Sequence, residues 1–304
     1  MNFLKRIYGV LIEVTQTVLS VILILLFSEL KIKKRYKHCW TPMSEVATCL
    51  ANGPSAKEVI ENKRGLIQST DILVVNNFVL APEFLELKPK YYVILDPMYF
   101  IEGFSVVHEE GKDEQIVRVK KNNEKVRSIL LNVDWKLNVL IPSHKGANKF
   151  ASIIKDNPQI RVIRYNATRI AGFKKFQEFC FSKGWGLPSS KNVVIPALIN
   201  LINIGYKEIF LYGVEMSWTK TMNIDEETGL MYFKDDHSYG KGKIRCFNKG
   251  AYCWWLKNIS EMLCALDVIS YYAQYKKVRI VNRTKYSFVD SFEYENPDKL
   301  TNYV

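Results

Sequence analysis

Short apolar runs alternate with segments of helical spacing from residue 45 to residue 282, and this alternation limits the fold more than any other feature. The runs that predict strands are, in chain order, "EVATCLA", "DILVVNN", "KYYVILDP", "KLNVLIP", "QIRVIRY", "YKEIFLYGVE" and "KVRIVN". The segments between them, such as "SAKEVIENK" and "SSKNVVIPALINLINIG", predict helices. Strands that alternate with helices are typical of an α/β domain with a mainly parallel sheet. Ligands of such sheets bind beyond the carboxyl ends of the strands.

A long apolar run, Ile7 to Leu30, precedes this domain and has the length of one membrane crossing. A signal peptide and a buried core helix are the alternatives, but the run ends in the basic block "KIKKRYK" and not in a cleavage site. The positive-inside rule places the rest of the chain in the cytoplasm. A helix that lies in the cytoplasmic leaflet places it there too. We therefore expect residues 1–37 to anchor residues 38–304 on the cytoplasmic side of the inner membrane, with residues 7–37 contacting lipid.

The chain carries a net charge of +12, which suggests an anionic partner. Anionic lipid accounts for the basic block, because the block directly follows the apolar run. The spacing of Cys and His does not match a zinc site, and we find neither an RNA-binding motif nor an arginine-rich arm. The sequence therefore does not predict a nucleic-acid partner.

The turn "NGPS" follows the first predicted strand. Gly53 leaves room for a ligand to approach the backbone beside Asn52. Ser55 is predicted to cap the next helix, with Glu58 at capping-box spacing, and the free N–H groups of such a helix favour an anion such as phosphate. The alternative is an ordinary turn followed by a cap.

The next two predicted strands also end in polar residues. Asn76 and Asn77 end the second strand, and Asp96 ends the third. Three adjacent strand ends would therefore present polar groups at one edge of the sheet.

Together, "ANGPS", "VVNNF", "YVILDP", "INIGYKEIFLYGVE" and "FKDDHSYG" resemble the bacterial sialyltransferases that modify lipooligosaccharides, and the wider group of transferases for sialic-acid-like sugars. The resemblance covers roughly residues 45–292. It implies a single Rossmann-like domain, an inverting transfer from a CMP-sugar to a glycan or lipid-linked acceptor, and no metal requirement. It also implies that the donor contacts the strand ends, at Asn52, Gly53, Ser55, Asn76 and Asp96.

This chain departs from the family pattern at several positions. Asp96 stands where the family usually carries Asn, and an acidic side chain disfavours a neighbouring phosphate unless it is protonated or binds ribose hydroxyls. Ser190 and Asn192 are approximate stand-ins for the family's Thr-Ser-Gly. Tyr232 and Tyr239 are the candidates for the tyrosines that hold the leaving phosphate.

His237 is the predicted catalytic base. It lies in "YFKDDHSYGKGK", a polar stretch that predicts a loop, and histidine titrates near neutral pH without help. Asp235 or Asp236 could orient the ring. The alternatives are that His237 is an ordinary loop residue and that His144, at a strand end, is the base.

One metal-dependent variant of this function and two other functions remain open from the sequence. Asp235 and Asp236 could hold a metal, as acidic pairs do in many glycosyltransferases. The "NGPS" turn also resembles a pterin diphosphokinase-like group, whose chemistry needs Mg²⁺ and a cluster of carboxylates. A non-catalytic membrane scaffold is the third.

Overall fold

The structure is a computed structural model, and it describes residues 2–31, 42–106, 108–237 and 240–300. Side chains are described for the same residues except 2–4, 235–237 and 240–243. The strands are β1 (Val46–Leu50), β2 (Asp71–Val75), β3 (Tyr91–Val93), β4 (Leu137–Pro142), β5 (Ile160–Tyr165), β6 (Glu208–Tyr212), β7 (Asn223–Ile224), β8 (Met231–His237), β9 (Gly240–Cys246), β10 (Arg279–Asn282) and β11 (Glu293–Tyr294). The helices are α1 (Asn2–Phe27), α2 (Ser55–Gln68), α3 (Glu83–Leu87), α4 (Lys112–Leu131), α5 (Lys145–Ile154), α6 (Lys174–Lys183), α7 (Val194–Ile204) and α8 (Ala251–Lys276). The predicted α/β class is confirmed.

Eight strands form one parallel sheet in the order β11-β10-β6-β1-β2-β3-β4-β5. From β1 the chain adds strands in one direction as far as β5, and it then returns to place β6 on the other side of β1. The strand order therefore reverses between β1 and β6. At such a reversal the connections leave the sheet on opposite faces and open a crevice at the carboxyl ends of the two strands.

Helices cover both faces of the sheet, which explains why its strands read as continuous apolar runs. Every residue of β2 and β4 is buried. One face packs against α6, α7 and α8, and the other packs against α2, α3, α4 and α5. Because these helices return antiparallel to the strands, α7 begins at the carboxyl edge of the sheet.

Residues 232–243, predicted as a loop, lie mainly in an antiparallel hairpin, and that prediction was wrong. The hairpin strands β8 and β9 pack on α8 through an aromatic cluster. Phe233 stacks at ring distances of 5.3 Å on Phe247 and 5.1 Å on Trp255. The burial of these rings stabilises extended backbone in a segment whose other residues are mostly polar.

Helix α1 packs against the α/β domain with one face of its second half. Ile24 is 4% exposed and belongs to the main core, and Ser20 is 2% exposed. The remaining face is apolar and exposed. Residues 5–27 are long and apolar enough to cross a membrane, by length and composition alone. The helix is thus held to the domain by packing as well as by the covalent connection of the chain. Of the predicted basic block, Lys31 lies within the described residues and 32–37 lie outside them.

Candidate functional site

The turn after β1 and the turn after β6 meet at the crevice where the strand order reverses. The backbone N–H of Ala51 donates to the Tyr212 carbonyl at 2.9 Å, and that of Gly53 donates to the Gly213 carbonyl at 2.9 Å. A Cβ atom at Gly53 would lie 1.4 Å from Glu215 Oε2 and 2.6 Å from the Gly213 carbonyl oxygen. Gly53 is therefore required by the approach of the second turn. The prediction that it also makes room for a ligand stays a prediction.

Glu215 lies at the centre of this crevice and is 6% exposed. Its Oε1 accepts a hydrogen bond of 2.7 Å from the Ser55 backbone N–H, at the N-terminus of α2. Burial raises the pKa of Glu215, and the Ser55 hydroxyl and backbone N–H act in the opposite direction. A carboxylate from within the chain therefore occupies the first N–H of α2, at the position where we predicted a phosphate.

The capping role predicted for Ser55 was wrong. Helix α2 begins at Ser55 itself, Pro54 occupies the cap position, and no side chain caps the helix. The carboxylate of Glu215 replaces the side-chain cap, because it supplies the acceptor that the free Ser55 N–H needs. Glu58, predicted to complete a capping box, instead forms an ion pair of 2.6 Å with Lys285.

Three polar side-chain atoms at these strand ends are buried: among the described residues, Asn52 Oδ1 has no hydrogen-bond partner, and Ser55 Oγ and Glu215 Oε2 have none beyond the contact between the Ser55 hydroxyl and the Glu215 carboxylate. Asn52 is held in place through its other amide atom, since Nδ2 donates to the Val75 carbonyl at 3.2 Å. Buried polar atoms are usually paired, and unpaired ones are costly. Buried oxygens between two strand ends are suited to accept hydrogen bonds from hydroxyl or amino groups of a ligand.

Asn76 and Asn77, after β2, fix the backbone at this edge. Asn76 adopts a left-handed conformation with φ of 42°, and its Oδ1 accepts from the Leu95 N–H at 3.1 Å. Asn77 Oδ1 accepts from the Tyr99 hydroxyl. The structure thus brings Asn76 to the predicted edge, and its side-chain oxygen is used to hold the end of β2 against the end of β3.

Asp96, after β3, is half-buried at the same edge. Its Oδ1 accepts from the Met98 N–H at 3.1 Å and caps a short 3-10 helix. Burial raises the pKa of Asp96, while the Met98 N–H and the positive charge of Arg245 lower it. The negative charge of Asp96 is therefore partly compensated by groups of the protein itself.

Arg245 brings the hairpin to this part of the edge. Its guanidinium pairs with Glu109 and lies 5.3 Å from the centre of the Phe233 ring and 5.9 Å from that of Trp255. Burial lowers the pKa of Arg245 to about 10, and the nearby Asp96 opposes this. Arg245 is therefore held by aromatic rings and by its pair with Glu109.

Of the two candidate bases, His144 is described in full. It caps α5, with Nδ1 accepting from the Ala147 N–H at 3.3 Å, and its ring lies edge-on to Phe100 at 5.2 Å. Burial, and then the charge of Arg164, lower the pKa of His144. The neutral ring that accepts at Nδ1 carries its proton on Nε2, so it has no free acceptor for a substrate proton in this arrangement.

The backbone of His237 ends β8 and pairs with Gly240 across the hairpin. Its side chain lies outside the part of the chain whose side chains are described, as do those of Asp235 and Asp236, and Tyr239 lies outside the described residues. Within the described residues, no group of three or more His, Cys, Asp and Glu side chains is placed to hold a metal ion.

Asn192 and Ser190 precede α7. Asn192 Oδ1 accepts from the Val194 N–H at 2.8 Å, and Ser190 is exposed. Because α7 begins at the carboxyl edge, both residues lie at the same edge of the sheet as Asn52 and Asn76. Glu215 was missed among the predicted site residues, although "GVE" directly follows a strand that neighbours β1.

No protein-family model matches the chain, and no match was found among curated proteins or among solved structures. Function is therefore argued from the geometry and chemistry of the site.

Proposed function

We propose that this chain is a membrane-associated glycosyltransferase with a Rossmann-like domain, which binds a nucleotide-sugar, with a CMP-sugar favoured, between the ends of β1 and β6. The observation that carries the proposal is the convergence of Asn52, Ser55 and Glu215 at the strand-order reversal, where, in the part of the chain that the structure describes, the Asn52 oxygen has no partner and those of Ser55 and Glu215 have none beyond each other. These oxygens suit the hydroxyl and amino groups of a nucleoside.

The Glu215 carboxylate indicates which part of the donor lies next to it. A phosphate beside it is disfavoured by like charge, whereas ribose hydroxyls can donate to Oε2. The nucleoside would therefore occupy the crevice between β1 and β6. The phosphate and the sugar would then extend along the edge towards the β8–β9 hairpin.

The chemistry proposed is an inverting transfer to a glycan or a lipid-linked acceptor on the cytoplasmic face of the membrane. The acceptor oxygen attacks the anomeric carbon from the face opposite the leaving group. The bond from that carbon to the phosphate oxygen breaks, and its electron pair leaves with CMP. His237 takes the hydroxyl proton, in the role that its sequence setting suggests.

Nucleotide binding tests this proposal directly. Titration calorimetry with CMP, UDP, GDP and ATP plus Mg²⁺ is expected to give heat with CMP. Asn52→Ala should weaken binding about three- to tenfold, the usual value of one neutral hydrogen bond, and Glu215→Gln should weaken it about tenfold or more.

Asn132→Ala is the matched control. Its Nδ2 also donates to a backbone carbonyl, that of Ser128, but it ends α4 at the opposite edge of the sheet. Binding of ATP with Mg²⁺ alone would favour the diphosphokinase alternative, and UDP or GDP another sugar donor. A full chain that binds none of the four would favour the scaffold.

A further inference from the structure

Helix α1 is tied to the domain over a long stretch of its length. The Thr17 hydroxyl accepts from the Phe173 N–H at 3.1 Å. Ser20 Oγ bonds both the N–H and the carbonyl of Ala171, at 2.9 and 3.0 Å. Ser28 Oγ donates to the Trp185 carbonyl at 2.7 Å.

Glycine is required at residue 172 because α1 comes so close. A Cβ atom on Gly172 would lie 2.1 Å from Thr17 Oγ1 and 2.7 Å from the Thr17 nitrogen, and the residue has φ of +107°. Two backbones approach this closely only where a glycine leaves the space for it. The contact between α1 and this segment is therefore an integral part of the fold.

This packing restricts how α1 can meet a bilayer. At 1.5 Å per residue, Thr17 lies about 15 Å along the axis from Phe27. If α1 crossed the hydrocarbon core with Phe27 at its border, the bonded Phe173 would lie near the middle of the bilayer. Lys174 and Lys175, the next residues, would lie there too, where charged side chains are strongly disfavoured.

The part of α1 that precedes these contacts is too short to cross alone. Residues 2–16 span about 22 Å, against the ~30 Å of the hydrocarbon core. The half of α1 that carries the contacts has an apolar opposite face, where Val18, Ile22 and Leu25 are 55%, 48% and 70% exposed. A helix with one face on protein and the other apolar is suited to lie along a membrane surface.

Helix α6 runs beside this half of α1, because one of its ends is tied to α1 and the other to the residues just after α1. Phe173, just before α6, bonds Thr17, and Trp185, just after it, donates from its indole N–H to the Leu30 carbonyl at 3.2 Å. Phe173 and Phe179 are 38% and 47% exposed, although both are large and apolar. Exposed Phe side chains of this kind are typical of the apolar face of helices that lie in the membrane interface.

Lysines accompany these rings on and around α6. Lys174 lies 4.6 Å from the centre of the exposed Tyr271 ring, and Lys183 lies 5.4 Å from that of Phe179. Lys174 and Lys175 are themselves exposed. The combination of apolar rings with lysines complements a bilayer that contains anionic lipid.

On the basis of the proposed membrane association, we propose that α1 lies along the bilayer surface without crossing it, and that α6 is a second lipid contact beside it. Phe173 and Phe179 insert at the level of the head groups and upper acyl chains. Lys174, Lys175 and Lys183 bind anionic head groups.

Sedimentation of the full chain with vesicles tests the lipid contact. With phosphatidylcholine vesicles containing phosphatidylglycerol, Lys174→Glu/Lys175→Glu should bind at least about thirtyfold more weakly than wild type, since the loss of each lysine near an anionic surface is worth roughly fivefold and the new carboxylates are repelled as well. Binding to pure phosphatidylcholine should hardly change. The control is Lys120→Glu/Lys121→Glu, an equally exposed pair on α4 that should lose much less.

Phe179→Ser tests the apolar part of the contact. It should weaken binding to both kinds of vesicle, whereas Val117→Ser on α4, 69% exposed, should not. Matched thermal unfolding curves would establish that these surface variants fold. If the α6 variants bind like their α4 controls, α6 is not a lipid contact.

A protease-sensitive tag placed before residue 1 distinguishes the two poses of α1. In sealed vesicles with the domain outside, a surface helix leaves the tag accessible, and a crossing helix protects it. A protected tag on a chain that binds vesicles would overturn the surface pose while leaving membrane association intact. Failure of the wild-type chain to bind any vesicle would overturn the membrane association itself.

Discussion

Gly53→Ala tests the packing at the centre of the proposed site. The new methyl group would lie 1.4 Å from Glu215 Oε2 and 2.6 Å from the Gly213 carbonyl oxygen. The carboxylate must move away and release the Ser55 N–H, a charged hydrogen bond worth about 1.5–3 kcal/mol. The backbone carbonyl must also shift, and such overpacking costs about 1–3 kcal/mol. We expect the variant to lose about 3–5 kcal/mol of unfolding free energy.

The same helix supplies a control with the opposite sign. A Cβ atom on Gly65, within α2, would meet nothing within 4 Å. Gly65→Ala should therefore gain about 0.5–1 kcal/mol, because alanine loses less backbone entropy than glycine when a helix forms. Urea unfolding of wild type and both variants in the same mild detergent measures the two changes.

A double variant identifies the group responsible. If the Glu215 side chain causes much of the strain, Gly53→Ala/Glu215→Ala should lose about 1–2 kcal/mol less than the sum of the single variants. The clash with the Gly213 carbonyl would remain. A Gly53→Ala midpoint equal to that of wild type, or strict additivity in the double variant, would refute the packing described here.

His237→Ala should reduce turnover about 10²–10⁴-fold with donor affinity nearly unchanged, and higher pH should partly restore the turnover. The pH–rate profiles of His237→Ala and His144→Ala measure this. Loss of the acidic limb of the profile in the His144 variant alone would contradict the assignment of His237 as the base. His144→Ala should lose about 1 kcal/mol of stability by thermal unfolding, and His144→Asn much less, because asparagine also caps helices. Because burial raises the pKa of Glu215 in the native state, its contribution to stability falls as pH rises from the ordinary carboxyl pKa through the raised one. Glu215→Gln should therefore be relatively more stable at pH 8 than at pH 4 in urea titrations, and a pH-independent difference would argue against the raised pKa. Ser20→Leu should lower the melting temperature more than Leu25→Ser, because Ser20 bonds the domain and Leu25 is exposed.

The sheet could be predicted because its signal is local. Strands such as β2 and β4 are buried on both faces, so each reads as an apolar run whose type does not depend on its partners. The hairpin could not be predicted in this way. Its strands are polar, and Phe233 and Phe247 are held in place by packing against Trp255, in a helix that follows later in the chain.

The candidate site was only partly predictable for the same reason. Asn52, Asn76 and Asp96 follow strands, and parallel strands bring their ends to one edge. The partner of Ser55, however, is 160 residues away, and no local pattern shows that Glu215 will take the place of a capping side chain. The role of Gly172 was likewise hidden, because it depends on a helix that begins at the other end of the chain.

The distance in sequence between α1 and its binding segment has a consequence during synthesis. The hydrogen-bond partners of α1 and the residues just after it follow 137–157 residues later in the chain. At about 5–20 residues per second, a ribosome needs roughly 7–30 s to make that interval. During this time the apolar helix is outside the ribosome while the segment that will hold it does not yet exist. Whatever receives α1 in that interval, a bilayer or a chaperone, does so before the α/β domain can, and the domain must then fold onto a helix that is already placed.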